Sequence, residues 1–305
     1  MVKAIHMYGS INASPFRPRA WSPERTLQHT TVLTLSVTAA LVMAMNVRAA
    51  STTSVPIRLY DTEAPVVMVR IQGKELPLQL DMGDASALVI HPDVLATLRT
   101  TPTGRTSKFF SMDGEFETPI VRLAQIAIGS LTFQDVDTRK DEHDESFLKA
   151  KRTTVGSVGF IGTGLFKSGQ IRLDYPRRHV TFSLPNEAGT VSDICRGVQI
   201  PFVTNQYGFT IPVMTDVGVL QFGWDSGSPA ILLSQTTAVT ARVDANLKNL
   251  QSRKFIIGGR DFGPQRIEIW NNIPLPKEIG GLIGYPFFKE HVVCFDYSKR
   301  MLHVQ

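Results

Sequence analysis

Cysteine is scarce in this 305-residue chain, with two residues at Cys195 and Cys294. Histidine is thin as well, and its seven residues lie apart with none in a His-Glu-x-x-His pattern. That spacing is what a helical zinc hydrolase needs, so zinc chemistry has no motif here. No Ser-His-Asp or nucleotide-binding pattern is present either, and no metal or cofactor is implied. An excess of positive charge is also lacking once the chain is divided. The net charge of the whole chain is +5, but residues 1–49 hold Lys3, Arg17, Arg19, Arg25 and Arg48 against Glu24 alone. The remainder is close to neutral, which argues against a nucleic-acid binder, since that needs a basic face to engage phosphates. Long helical periodicity is scarce after residue 50.

The first fifty residues differ from the rest. Thr31–Met45 is uncharged and mostly apolar, basic residues precede it, and Ala49 and Ala50 come after it. A basic stretch, a short apolar core and a small-residue exit make a secretory signal over residues 1–49. The apolar run is shorter than the roughly 20 residues of a membrane-spanning helix, although the long leading segment leaves an uncleaved anchor as the alternative. The expectation is an exported chain, periplasmic or secreted, with no membrane association after cleavage and monomeric. Export suggests an oxidising compartment, in which Cys195 and Cys294 either pair or stay as two separate buried thiols; spacing alone does not choose.

The chain beyond residue 50 reads as β. Val55–Tyr60, Pro65–Gly73 and Leu76–Leu80 are short apolar or alternating runs bounded by turn residues. Asp113-Gly114 sits between two short runs in Phe109–Glu117, a hairpin signal, and Ile120–Thr138 reads as two strands turning at Gly129-Ser130. Helix candidates are Pro92–Arg99 and Ser234–Val243. Lys140–Ser146 is charged and reads as a solvated loop, with His143 in a loose surface cluster rather than a metal site.

The sequence then repeats. "VGFIGTGLFKSGQIRLDYPRRHVTF" matches "IGGLIGYPFFKEHVVCFDYSKRMLHV" in order of features. Upstream, "VMVRIQGKELPLQLDMG" parallels "IPVMTDVGVLQFGWDSG": strand, glycine turn, strand, Asp-x-Gly. Asp81 and Asp225 hold matching places. Two copies of this length mean two lobes rather than a solenoid. The division is 50–185 for the first lobe, 186–197 for a polar linker and 198–305 for the second.

Two lobes with one Asp-x-Gly each resemble the aspartic proteases, pepsin-like in carrying both on one chain and closest in lobe size to bacterial retropepsin-type members. The resemblance implies an all-β, bilobal fold of two β-barrel lobes with a cleft between them, and an endopeptidase acting on extended peptide or protein substrates. It also implies a water activated between Asp81 and Asp225, close turns at Gly83 and Gly227, and a hydroxyl on Ser226 that bonds across the lobes. A flap at Asp113-Gly114 would close over the cleft, with Phe110 and its neighbours Phe109 and Phe116 lining the cleft or packing the ribbon. The apolar-apolar-Gly segments at Gly162 and Gly284 would loop beneath the aspartyl turns, and Trp224 is a packing residue. Two positions depart from the pattern. Met82 replaces a hydroxyl residue, which removes one cross-lobe bond. Asp84 stands where Ser, Ala or Thr is usual, a third carboxylate that would raise the proton affinity of the pair if it pointed inward. These departures admit a second reading, a catalytically silent peptide-binding module. A third, an unrelated exported β-barrel with chance Asp-Gly turns, fits the doubled order of motifs poorly.

Overall fold

The computed structural model describes residues 7–10 and 51–305 apart from 61–62, 112–113, 144, 187, 206–207, 245, 272, 274 and 277. The leader and anchor readings for residues 1–49 therefore fall almost wholly outside it. Within it, strands dominate and helices are short, as the alternating apolar runs require. Among the described residues no helix is long and apolar enough to cross a membrane.

Three sheets carry the architecture. The first has the strand order Met7–Ser10, Thr101–Ser111, Gly114–Ile128, Leu131–Lys140, Leu88–Ile90, Gly159–Gly162, Lys74–Asp81, Pro65–Ile71 and Arg58–Leu59. Another runs Asn249–Ser252, Gln265–Trp270, Leu232–Ser234, Gly281–Ile283, Gly218–Trp224, Gly208–Thr215, Phe255–Ile257 and Arg260–Asp261, with Val203–Asn205 on the edge of Gly208–Thr215. Between them lies a six-stranded sheet to which each half gives three strands, ordered Val198–Pro201, Met301–Val304, Val292–Asp296, Gln170–Asp174, His179–Ser183 and Thr52–Pro56. Its central pair, with Arg172 opposite Cys294, joins the two halves. The two-lobed, all-β architecture is thus present. The linker tract leads from His179–Ser183 to Val198–Pro201, and Cys195 within it is disulfide-bonded to Cys294 of the central pair.

The repeat is structural as well as textual. Gly159–Gly162 runs parallel to the strand entering the first aspartyl turn, with Gly162 opposite Asp81, and antiparallel to Leu88–Ile90. Gly281–Ile283 does the same in the second half, with Ile283 opposite Trp224, and antiparallel to Leu232–Ser234. Strands buried on both faces read as continuous apolar runs rather than alternating ones, which is how "GFIG" and "GLI" appear. Gly162 and Gly284 then pack on backbone: a Cβ at either would lie 2.4 Å from a carbonyl oxygen, that of Ser86 or of Ser228.

The helix Gln235–Thr240 begins at Ser234, whose Oγ accepts from the Thr237 amide at 3.1 Å, the usual N-cap arrangement. The Pro92 candidate is real but shorter, Pro92–Leu95. One expectation is corrected. The charged tract after Lys140 is not a solvated loop: it turns into the helix Glu145–Thr154, and Asp141 and His143 are tucked in, with His143 Nδ1 2.5 Å from Asp141 Oδ1 and the buried His91 close by. Charge alone had suggested exposure, but a buried histidine partner and Arg152, which donates to His91 Nδ1 at 3.1 Å, draw the carboxylate inward. No group among the described residues could hold a metal ion.

Candidate active site

The first aspartyl turn closes the strand Lys74–Asp81. Its outer residues are exposed and its last four, Leu78 to Asp81, are buried. Alternation along a strand puts Gln79 and Asp81 on one face and Leu78 and Leu80 on the other. The turn is tied by its own carboxylate, which accepts from the Gly83 amide at 3.0 Å. The second turn copies it, with Asp225 Oδ1 accepting from the Gly227 amide at 2.7 Å.

The two turns meet face to face. Asp81 and Asp225 are both 0 % exposed, and their side chains are hydrogen-bonded to each other. A Cβ at Gly83 would sit 3.1 Å from Asp225 Cγ and 3.2 Å from Asp81 Oδ1, and one at Gly227 would sit 3.1 Å from Asp225 Oδ1 and 3.3 Å from Asp81 Oδ2. Both glycines are therefore wedged between the carboxylates, and close approach rather than backbone twist explains them. Burial pushes the Asp225 carboxyl up to about 7, against donation from the Gly227 amide, the Asp81 bond and the Ser228 amide; the Asp84 charge pushes it the same way as burial. Two carboxyls this close share a proton because both cannot ionise cheaply.

Ser226 spans the interface in two directions. Its Oγ donates to the Leu80 carbonyl at 2.8 Å and accepts from the Met82 amide at 3.1 Å. The reciprocal arm is missing, since Met82 has no hydroxyl; its side chain is instead buried in the main apolar cluster. Trp224 is fully buried, edge-on to Phe287 and Phe288 at 5.4 and 5.7 Å, which is a packing role.

Asp84 does point inward, but it has a cation: Arg139 Nη2 lies 3.3 Å from its Oδ2. Arg139 also helps line a cavity of about 300 Å³ with Leu88, Ile120, Phe133 and Leu165.

The hairpin expected as a flap forms, Thr101–Ser111 pairing with Gly114–Ile128 and Ser111 opposite Gly114. Asp113 lies outside the described residues, as do the side chains of Phe109, Phe110 and Phe116. Met7–Ser10 pairs along the outer edge of the Thr101–Ser111 strand.

Three residues escaped sequence reasoning. Gln79 is 2 % exposed with its Nε2 beside Gly227 and its Oε1 buried without a hydrogen bond; a polar residue inside "LPLQL", two before Asp81, was a readable signal. The buried Tyr175 hydroxyl approaches the Ser226 carbonyl at 3.5 Å. Its equivalent in the repeat, Tyr297, gave no hint of a different role. Arg139, in the run "DTRK", looked like one charge among many.

A family model described as aspartyl protease matches residues 67–139. A search of curated proteins returns no match. Among solved structures, the aspartic proteinase from Irpex lacteus is similar at a TM-score of 0.54 and 13 % identity, covering 83 % of this chain and 96 % of that one. At that identity the likeness concerns the fold. The aspartyl protease model thus spans the first aspartyl turn, and the fold over most of the chain is that of an aspartic proteinase.

Proposed function

We propose that this chain is an aspartic endopeptidase hydrolysing extended peptides with a water activated between Asp81 and Asp225. The observation that carries the reading is the buried, hydrogen-bonded carboxyl pair at the two equivalent turns. In the singly protonated pair, the ionised carboxylate takes a proton from the water as its oxygen attacks the scissile carbonyl. The neutral carboxyl donates to the carbonyl oxygen. The tetrahedral intermediate then collapses, and a proton passed from the pair to the leaving nitrogen lets the amine depart. The amides of Gly83 and Gly227, each bonded to its own carboxylate, fix the two acids in place, so little reorganisation is needed during the reaction. We place the activity outside the cytoplasm after removal of residues 1–49. The Cys195–Cys294 disulfide supports that setting, since disulfides persist in oxidising compartments.

The test is incubation of the protein lacking residues 1–49 with a diverse peptide mixture across pH, beside Asp81→Asn and Asp225→Asn. Cleavage is expected in the parent, is lost in each variant, and falls little further in the double variant, because groups acting as a unit fail together. It declines above about pH 7, where Asp225 gives up its proton. The second reading, a silent peptide-binding module, draws on Met82 and its missing hydroxyl. Peptides that bind without being cut at any pH would establish it.

A further inference from the structure

Each half of this molecule is an internal control for the other. Three residues beyond the central aspartates stand Asp84 and Ser228, and their backbones play the same part. Asp84 N–H donates to the Asp81 carbonyl at 3.3 Å, and Ser228 N–H to the Asp225 carbonyl at 3.1 Å. The Asp84 carbonyl accepts from the Thr163 amide at 2.8 Å, and that of Ser228 from the Tyr285 amide at 2.8 Å. Both side chains accept from the amide two residues on: Asp84 Oδ1 from Ser86 at 2.5 Å, Ser228 Oγ from Ala230 at 3.5 Å. A serine is therefore enough to build this turn.

The neighbouring strand corresponds too. Val89 is opposite Arg139 in the first half, and Leu233 is opposite Ile269 in the second. Where the second half has Ser228, Ala230 and Ile269, the first has Asp84, Ser86 and Arg139, and these three are bonded to one another. Arg139 Nη2 reaches Asp84 Oδ2 at 3.3 Å and Nε donates to Ser86 Oγ at 3.2 Å. Both charged side chains are buried, 4 % and 2 % exposed.

Stability does not account for the substitution, because a buried ion pair commonly gains little over an apolar pair of similar volume. Beside it lies the carboxyl pair. The titratable groups facing Asp225 from the packed elements are Asp81 and Asp84 of the first turn and Tyr175, with Tyr285 and Glu63 acting on Tyr175 and Arg178 on Tyr285. Of the cations lining the adjoining cavity, Arg105, Arg139 and Lys167, Arg105 is engaged with Asp137 and Arg139 is the one bonded to Asp84. Arg139 is thus the cation placed to answer Asp84.

We propose that Arg139 is a positioning residue acting through Asp84, and that this charge-balanced pair beneath the first turn sets the pH at which Asp81 and Asp225 share one proton. The inference rests on the reading of those two residues as the catalytic pair, and its test is arranged to fail separately. The first half is converted stepwise to the chemistry of the second with Asp84→Ser, Arg139→Ile and the double variant. The carboxyl carbons of Asp81 and Asp225 are titrated by NMR, and pH–rate profiles are recorded in parallel. Asp84→Ser removes a negative charge beside the carboxyl pair, so the titration and the profile move to lower pH by about one unit. Arg139→Ile removes the positive charge that answers Asp84 and moves both upward. The double variant returns close to the parent. Melting temperatures identify any variant that fails to fold; if Arg139→Ile does, Asp84→Ser and the double variant still decide the matter. A merely structural pair would lower stability and rate without moving the titration. An unmoved titration in Asp84→Ser, or a double variant that stays where Asp84→Ser put it, overturns the proposal. If the parent cleaves nothing, the endopeptidase reading falls while the titrations still judge this one.

Discussion

Asp225 carries an electrostatic cost that its neighbours only partly relieve. Its carboxyl is raised from 3.8 to about 7, so the folded chain holds a proton there that the unfolded chain has already released. Between those values the unfolded state binds fewer protons, and stability falls as pH rises, at ~1.4 kcal/mol per pH unit in the limit of a single group. The contribution is fully present below about pH 4 and lost by about pH 7. Asp225→Asn removes the titration. It should be more stable than the parent by a few kcal/mol at pH 8, with the difference closing towards pH 4, as measured by denaturant unfolding at several pH values. Ser226 makes the opposite case. Ser226→Ala strands the Met82 amide and the Leu80 carbonyl in a buried interface, at about 1–3 kcal/mol each, and loosens the register of the turns, for which a loss of about 100-fold in cleavage rate is expected. Met82→Thr is milder. It supplies the missing hydroxyl but leaves part of a buried site empty, so a stability loss of ~1–2 kcal/mol with cleavage retained or raised is the expected balance. If melting temperature and rate both fall clearly, Met82 is an adapted packing residue. At this scale the sequence disclosed the two aspartates and the odd Met82 because they sit in motifs. It hid Arg139, whose partner is 55 positions away and whose neighbours in sequence are also charged.

Elements built on local chemistry were the most legible. The hairpin of Thr101–Ser111 with Gly114–Ile128, the Gly129-Ser130 turn, the strand into each Asp-x-Gly and the short helix after Ser234 all arise from turn residues and patterning over a few positions. The helix Glu145–Thr154 was missed because its N-terminal charges masked an element whose place is set by tertiary partners, Arg152 reaching His91 and Asp93. The apolar-apolar-Gly strands were readable as a repeat, but their parallel register beside the aspartyl strands is non-local. That register leaves no room above Gly162, where a Cβ would lie 2.4 and 2.5 Å from the Ser86 and Asp84 carbonyl oxygens. Gly162→Ala should therefore cost about 1–3 kcal/mol by overpacking and depress activity beyond what the stability loss explains. Gly73→Ala, which meets nothing within 4 Å but has φ +79°, should lose only stability. Melting curves alongside cleavage rates separate the two.

For the molecule as a whole, the six-stranded sheet and the disulfide act on the same junction. Cys195 lies at the end of the tract between halves and Cys294 in the strand that pairs with Gln170–Asp174. The bond closes a loop of 99 residues, so reduction or Cys195→Ser with Cys294→Ser should lower stability by up to ~4–5 kcal/mol, read as a fall in melting temperature that added reductant reproduces in the parent. The lobes and their order were legible because the repeat doubles every feature. The shared sheet was not, since it pairs strands more than a hundred residues apart and no local pattern announces a partner at that distance.

That sheet also imposes a schedule. Thr52–Pro56 waits for His179–Ser183, and Gln170–Asp174 waits for Val292–Asp296, so the earliest strand and the middle of the chain are both completed by later arrivals. Pairings of such long range form slowly. The second carboxyl meets the first only when the last quarter of the chain is in place. A polypeptide that stops short of the second half therefore holds one aspartate without its mate, and the proposed cleavage has no carboxyl pair to run on. On the proposed reading, the hazard of making a protease is deferred until the second half has folded.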